Sequence, residues 1–149
     1  MIWISAQTGY VVPVFPNVEI NTTIELRDII HDCDNIKTKD PEMFEEYCTV
    51  ISEEVNNIVA LYNHVTKTIH LPNYFDQNNF SHKSILLHEL VHHLQYFNNK
   101  HKIVDCPELL EAQAYDLQEE WLEEHNVILE KDLQIGPFLR MWVTTCRYF

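Results

Sequence analysis

The string His88-Glu89-Leu90-Val91-His92 is where residue types and spacing could do chemistry in this sequence. At ~3.6 residues per helical turn, positions i and i+4 lie about 40° apart, so His88 and His92 can present ring nitrogens to one ion. Glu89, beside the first of them, falls to one side, next to the position that a catalytic zinc leaves open. Such an H-E-x-x-H helix is the zinc metalloprotease motif, in which the imidazoles hold the metal and the glutamate moves protons. A blander reading, with both histidines satisfied on a partly solvated helix face, competes with it. The neighbouring residues weigh against that reading. Ile85, Leu86, Leu87, Leu90, Val91, Leu94 and Phe97 cover most of the helix circumference, so the helix is expected to be central and buried. Two imidazoles and a carboxylate on such a helix need a compensating partner, and a metal supplies one.

A catalytic zinc needs a third protein ligand. Glu108 and Glu111 on the following helix, and His101 and Asp105 in the loop before it, are the candidates. If the two helices form an antiparallel hairpin, His92 lies about 9 Å before the end of the first at 1.5 Å per residue. Glu111 lies about 6 Å into the second, closer in level to His92 than Glu108, which is only one residue in. Glu111 also shares its face with Ala114, Tyr115 and Leu122, and is the preferred ligand.

The elements that must position these residues follow from pattern. The motif helix is expected to start from a Ser81 cap and to end at Asn98-Asn99-Lys100. Asp105-Cys106-Pro107 opens the second long helix, with Pro107 at its first position, running to about Glu124 on a stripe of Leu110, Ala114, Leu117 and Trp121. A last helix is expected from Pro137 to about Cys146. Upstream, Ile58 to Leu71 reads as a β-hairpin, two β-branched and aromatic runs around a polar turn, stopped by Pro72-Asn73. Thr22/Thr23 caps a short helix, Asp40-Pro41 opens another, and residues 10–18 are extended and proline-punctuated, suited to an edge or a covering arm. The class is α+β, helix-dominated, in one domain over 1–149: a small hairpin or sheet beside the motif helix and a second, antiparallel, glutamate-bearing helix.

Composition narrows the partners. The 149 residues are 46% hydrophobic and 22% charged, enough for a buried core without staples. Ten Lys+Arg against 23 Asp+Glu give a formal charge of −13, which disfavours nucleic acid and anionic membrane surfaces. No stretch approaches the ~18 apolar residues of a membrane span. The N-terminus lacks a basic n-region and a long apolar h-region, so a cytoplasmic protein is favoured unless a leader has been removed. Cys33, Cys48, Cys106 and Cys146 form no CxxC pair; they are free or buried thiols, or, in a secreted protein, a Cys33–Cys48 bridge or another of the three pairings.

His88-Glu-x-x-His92 followed by Glu111-Ala-Gln-Ala-Tyr115 resembles the gluzincin metallopeptidases, specifically the small single-domain minigluzincins, over roughly residues 55–125. The resemblance implies one zinc per chain on His88, His92 and Glu111, with Glu89 as general base, and an edge strand along the substrate cleft from the hairpin that precedes the motif. Many members carry an acidic residue four positions after the glutamate ligand to orient a zinc-bound histidine; this sequence has Tyr115 there. The metzincin extension is absent from Gln95–Lys100.

The expected activity is therefore hydrolysis of peptide bonds in a peptide or protein substrate. A catalytically silent zinc-binding interaction protein and a zinc hydrolase of non-peptide bonds are the alternatives, and an intact Glu89 speaks against the first. Tyr115, His101, Arg140 and Tyr148 are candidate oxyanion donors. His93 is expected to be a packing or surface residue, Trp121 and Trp142 to be core, and His64, His70, His82 and His125 have no evident partners.

Overall fold

The computed structural model describes residues 1–31, 60–133 and 135–146. In chain order these form α1 (Ile2–Thr8), β1 (Asn17–Asn21), α2 (Thr23–His31), β2 (Leu61–Asn63), β3 (Thr68–Pro72), α3 (Phe80–Phe97), α4 (Glu108–Glu124), α5 (Leu129–Asp132) and α6 (Pro137–Thr144). The class is α+β, with helices predominating over a three-stranded sheet. The helix expected at Asp40-Pro41 and the cysteines Cys33 and Cys48 lie outside the described residues.

The sheet order is β1-β3-β2. β2 and β3 are the expected hairpin, antiparallel with Tyr62 opposite Ile69, around a turn in which Lys67 takes a φ of 55°. β1 adds to the far side of β3 in parallel, Val18 opposite Ile69. That pairing joins elements far apart in sequence, so no local turn signal announces it. β3 is buried along its whole length, and α2 and α3 both contact it. A strand covered on both faces loses the apolar–polar alternation of a half-exposed one.

α3 begins two residues earlier than the Ser81 cap implies. Asn79, in extended conformation, is the cap; its side-chain oxygen accepts from the His82 N–H at 3.2 Å. Ser81 sits in the first turn, where its carbonyl accepts from the Ser84 hydroxyl. The Thr22 cap of α2 is a reciprocal capping box: its backbone N–H donates to the Glu25 carboxylate at 2.7 Å, and the Glu25 N–H returns to the Thr22 hydroxyl. α4 starts at Glu108, one residue past the Pro107 start, and Pro107 already has helical angles.

α1 has no counterpart in the sequence reading. It ends on Gly9 at φ 70°, a left-handed cap that glycine adopts without strain, and it drives Ile4 into the core. There Ile4 joins Ile69, Leu71, Val91, Leu94 and Ala114, all at most 1% exposed. Each of the Ile, Leu and Val side chains contributes about 1.5–3 kcal/mol by leaving water. The arm after α1 crosses the end of α3: Val11 exchanges two hydrogen bonds with the Asn98 side chain, and the Val14 carbonyl accepts from His93.

Trp121 is partly buried against the core, as expected, but Trp142 is not core. It is 55% exposed on α6, which also exposes Phe138 and Met141, because α6 lays its other face on α4. Cys106, just before α4, is disulfide-bonded to Cys146, just after α6, with Cα atoms 5.8 Å apart. Of the open readings of the cysteines, these two are therefore not thiols. The bridge fastens the last helix to the start of the helix that carries Glu111.

Candidate metal centre

α3 and α4 run antiparallel, as the level argument requires. Ser84 bonds to Gln118 at one end of the pair and Gln95 reaches the Leu110 carbonyl at the other. Between these ties His88, His92 and Glu111 converge. The Nε2 atoms of the two imidazoles are 3.1 Å apart. The Glu111 carboxylate spans both, Oε2 lying 3.2 Å from His88 Nε2 and Oε1 3.2 Å from His92 Nε2. Among the described residues this is one of two groups whose donor atoms stand close enough to share an ion. The other, Cys106, Glu108 and Cys146, has both sulfurs joined in the disulfide, and it is the thiolate that binds metals.

Two separations fix which nitrogen of each ring faces the cluster. The Ser84 hydroxyl donates to the Ser81 carbonyl and so accepts from Gln118 Nε2 at 3.0 Å. That turns Gln118 Oε1 toward His88 Nδ1, 3.1 Å away, and His88 Nδ1–H must donate. Likewise Gln95 Nε2 donates to the Leu110 carbonyl and to Gln113 Oε1, both at 2.9 Å, so its Oε1 accepts from His92 Nδ1–H at 2.9 Å. Both Nε2 atoms then turn bare lone pairs toward each other and toward a carboxylate. Three electron-rich groups in near contact need a cation between them. Donors about 2.0–2.1 Å from a tetrahedral zinc stand about 3.3 Å from one another, close to the separations here. The residues fit a zinc ion.

The electrostatics agree. With only protons to share, burial pulls His92 down, yet Glu111 against its ring, with Glu89 and Gln95, raises it to about 9. Burial pushes the Glu111 carboxyl up, but hydrogen bonds from His88 and His92 and their charge hold it well below the usual carboxylate range. The cluster stabilises positive charge at its centre.

Glu89 is 8% exposed and, with His88, His92 and Glu111, lines a cleft of about 450 Å³. Leu61, Tyr62 and His64 of the hairpin form part of another wall, and Tyr96 lies one turn beyond His92. Tyr115 also lines the cleft, its ring edge-on to His88 with centroids 4.6 Å apart. Burial, with the charges of Glu111 and Glu89, pushes the Tyr115 phenol up to about 12, so it stays a neutral donor.

The remaining candidates separate cleanly. Glu108 stands with the disulfide, and Asp105 is exposed and outside the cluster. His101 stacks on Tyr96 at 4.5 Å and does not line the cleft. Arg140 is ion-paired to Asp116 and Glu119 and lines a different cleft, so it is not available as an oxyanion donor. Tyr148 lies outside the described residues. His93 is a packing residue: it donates from Nε2 to the Val14 carbonyl and accepts the Tyr62 hydroxyl proton at Nδ1, 2.8 Å away, while burial lowers its pKa. The other histidines have partners that sequence did not name. His64 stacks on Tyr96, His70 meets Asn21, His82 accepts the Asp76 N–H, and His125 meets the Trp121 carbonyl.

Gln95 and Gln118 escaped the sequence reading. Their signal is a neutral polar residue on an otherwise buried helical face: Gln118 lies two turns after Glu111, and Gln95 three residues after His92.

The family described as "Domain of unknown function (DUF6647)" matches residues 18–137, a span that holds the whole cluster. The chain belongs to the DUF6647 family. Comparison with curated proteins and with solved structures gave no match. Within this DUF6647 chain the matched span also contains both glutamines, β2, β3, all of β1 but Asn17, and both long helices.

Proposed function

We propose that the chain is a zinc-dependent metallopeptidase, similar to the minigluzincins, with His88, His92 and Glu111 as metal ligands and Glu89 as general base. The observation that carries this reading is the convergence of two Nε2 lone pairs and a carboxylate within 3.1–3.2 Å, beside a buried glutamate in an open cleft. A zinc ion there would supply Lewis acidity to the scissile carbonyl and to the attacking water. Glu89 takes the proton of that water and returns it to the leaving amine, as its place beside His88 allows. Tyr115, neutral and lining the cleft, is the preferred donor to the oxygen that gains charge.

A peptide is the substrate class that suits the cleft. Among the described residues β2 is the edge strand of the sheet on the side away from β1, and it lines the cleft, so an extended chain could pair along that edge. No helix among the described residues is long and apolar enough to cross a membrane.

The test is a broad peptide-library cleavage assay on zinc-loaded and chelator-stripped protein. Cleavage that disappears with the metal and returns on adding zinc is the expected result. A zinc-loaded protein that cuts no peptide would transfer the site to a binding role or to another bond.

A further inference from the structure

The geometry points to Gln95 and Gln118 as positioning residues of the metal centre, each fixing one histidine ligand in the tautomer and orientation that a metal requires. The assignment rests on the metal reading above. Both side chains are at most 2% exposed, and both are anchored away from the cluster: Gln118 by Ser84, Gln95 by the Leu110 carbonyl. A flipped Gln95 amide would set its oxygen against the Leu110 carbonyl, and a flipped Gln118 amide would set its oxygen against a Ser84 hydroxyl whose proton is given to the Ser81 carbonyl, so each presents its oxygen to its histidine. Gln95 is held further through Gln113, whose Oε1 also accepts from the Tyr10 hydroxyl at 2.8 Å. The N-terminal arm is thereby tied to the orientation of His92.

Partners of metal-bound histidines are commonly carboxylates, which make the ring a stronger donor; here both are neutral amides. The amides orient without adding charge, so the site carries only the charge of Glu111 among its ligands. A carboxylate in place of Gln118 should therefore orient His88 equally well and bind the metal at least as firmly.

The experiment measures zinc affinity by chelator competition in wild type, Gln118→Met, Gln118→Glu and Gln95→Met, with thermal melting of each metal-free protein recorded separately. The methionine variants keep the volume but lose the acceptor. They are expected to bind zinc about 10–100-fold more weakly, and Gln118→Glu at least as tightly as wild type. Methionine variants that bind like wild type overturn the assignment, as does a Gln118→Glu protein as weak as Gln118→Met. If Gln118→Met does not fold, Gln118→Glu decides alone: wild-type or tighter affinity supports the role, and weakened affinity overturns it. A wild type that binds no zinc defeats the metal reading itself, whereas a wild type that binds zinc regardless of these glutamines defeats only this inference.

Discussion

Glu89→Gln is expected to keep its zinc and its fold while losing turnover by at least the ~10²–10⁴-fold that a general base contributes. The change is nearly isosteric, and Glu89 contributes no atom to the group formed by His88, His92 and Glu111. What disappears is a buried negative charge in the cleft, one that bears on both His92 and Tyr115. A base acting on the attacking water cannot be replaced by a neutral amide. Metal content and kcat/KM measured on the same preparation check both halves. Wild-type turnover in this variant would place the cleavage elsewhere, and metal lost as readily as in His88→Ala would make Glu89 a ligand.

Glu111→Ala should cost more metal affinity than any other single change outside the two histidines. It removes one of three proposed protein donors, and with it the carboxylate that spans the two Nε2 atoms and would offset the charge of the cation between them. Glu111→Gln should be almost as damaging, because a neutral amide is a poorer zinc donor and leaves the charge unbalanced. Glu108→Ala, one turn earlier on the same helix, should leave zinc binding nearly unchanged. Its carboxylate stands by the Cys106–Cys146 bridge, and its favourable place in the first turn is worth under ~1 kcal/mol. Chelator competition on the three variants reads the ranking directly. Equal losses for Glu108 and Glu111, or a Glu111→Ala protein that holds zinc like wild type, would contradict the ligand assignment.

The convergence of His88, His92 and Glu111 was legible because helical periodicity reports angle and level without tertiary information. Spacing put His88 and His92 on one face, and counting residues from each helix end put Glu111 level with His92, where the structure places it. Its supporting layer was less legible. Gln95 and Gln118 do their work through Ser84 and the Leu110 carbonyl on the opposite helix, partners that no pattern within one helix specifies. The hairpin could be read from its β-branched runs, but β1 pairs in parallel with a strand about fifty residues later, and such pairing leaves no turn signature. Trp142 misled for a related reason. A large apolar residue on an amphipathic helix reads as core until it is known which face meets the neighbouring helix, and α6 turns Trp142 outward.

The most direct test of the account is the zinc content of the purified wild-type protein, measured by elemental analysis beside His88→Ala and His92→Ala after identical loading and desalting. The expected result is about one zinc per wild-type chain and a marked loss in either histidine variant. A wild-type protein that holds no zinc after loading, or histidine variants that hold as much as it does, would contradict the metal centre and everything proposed to act through it.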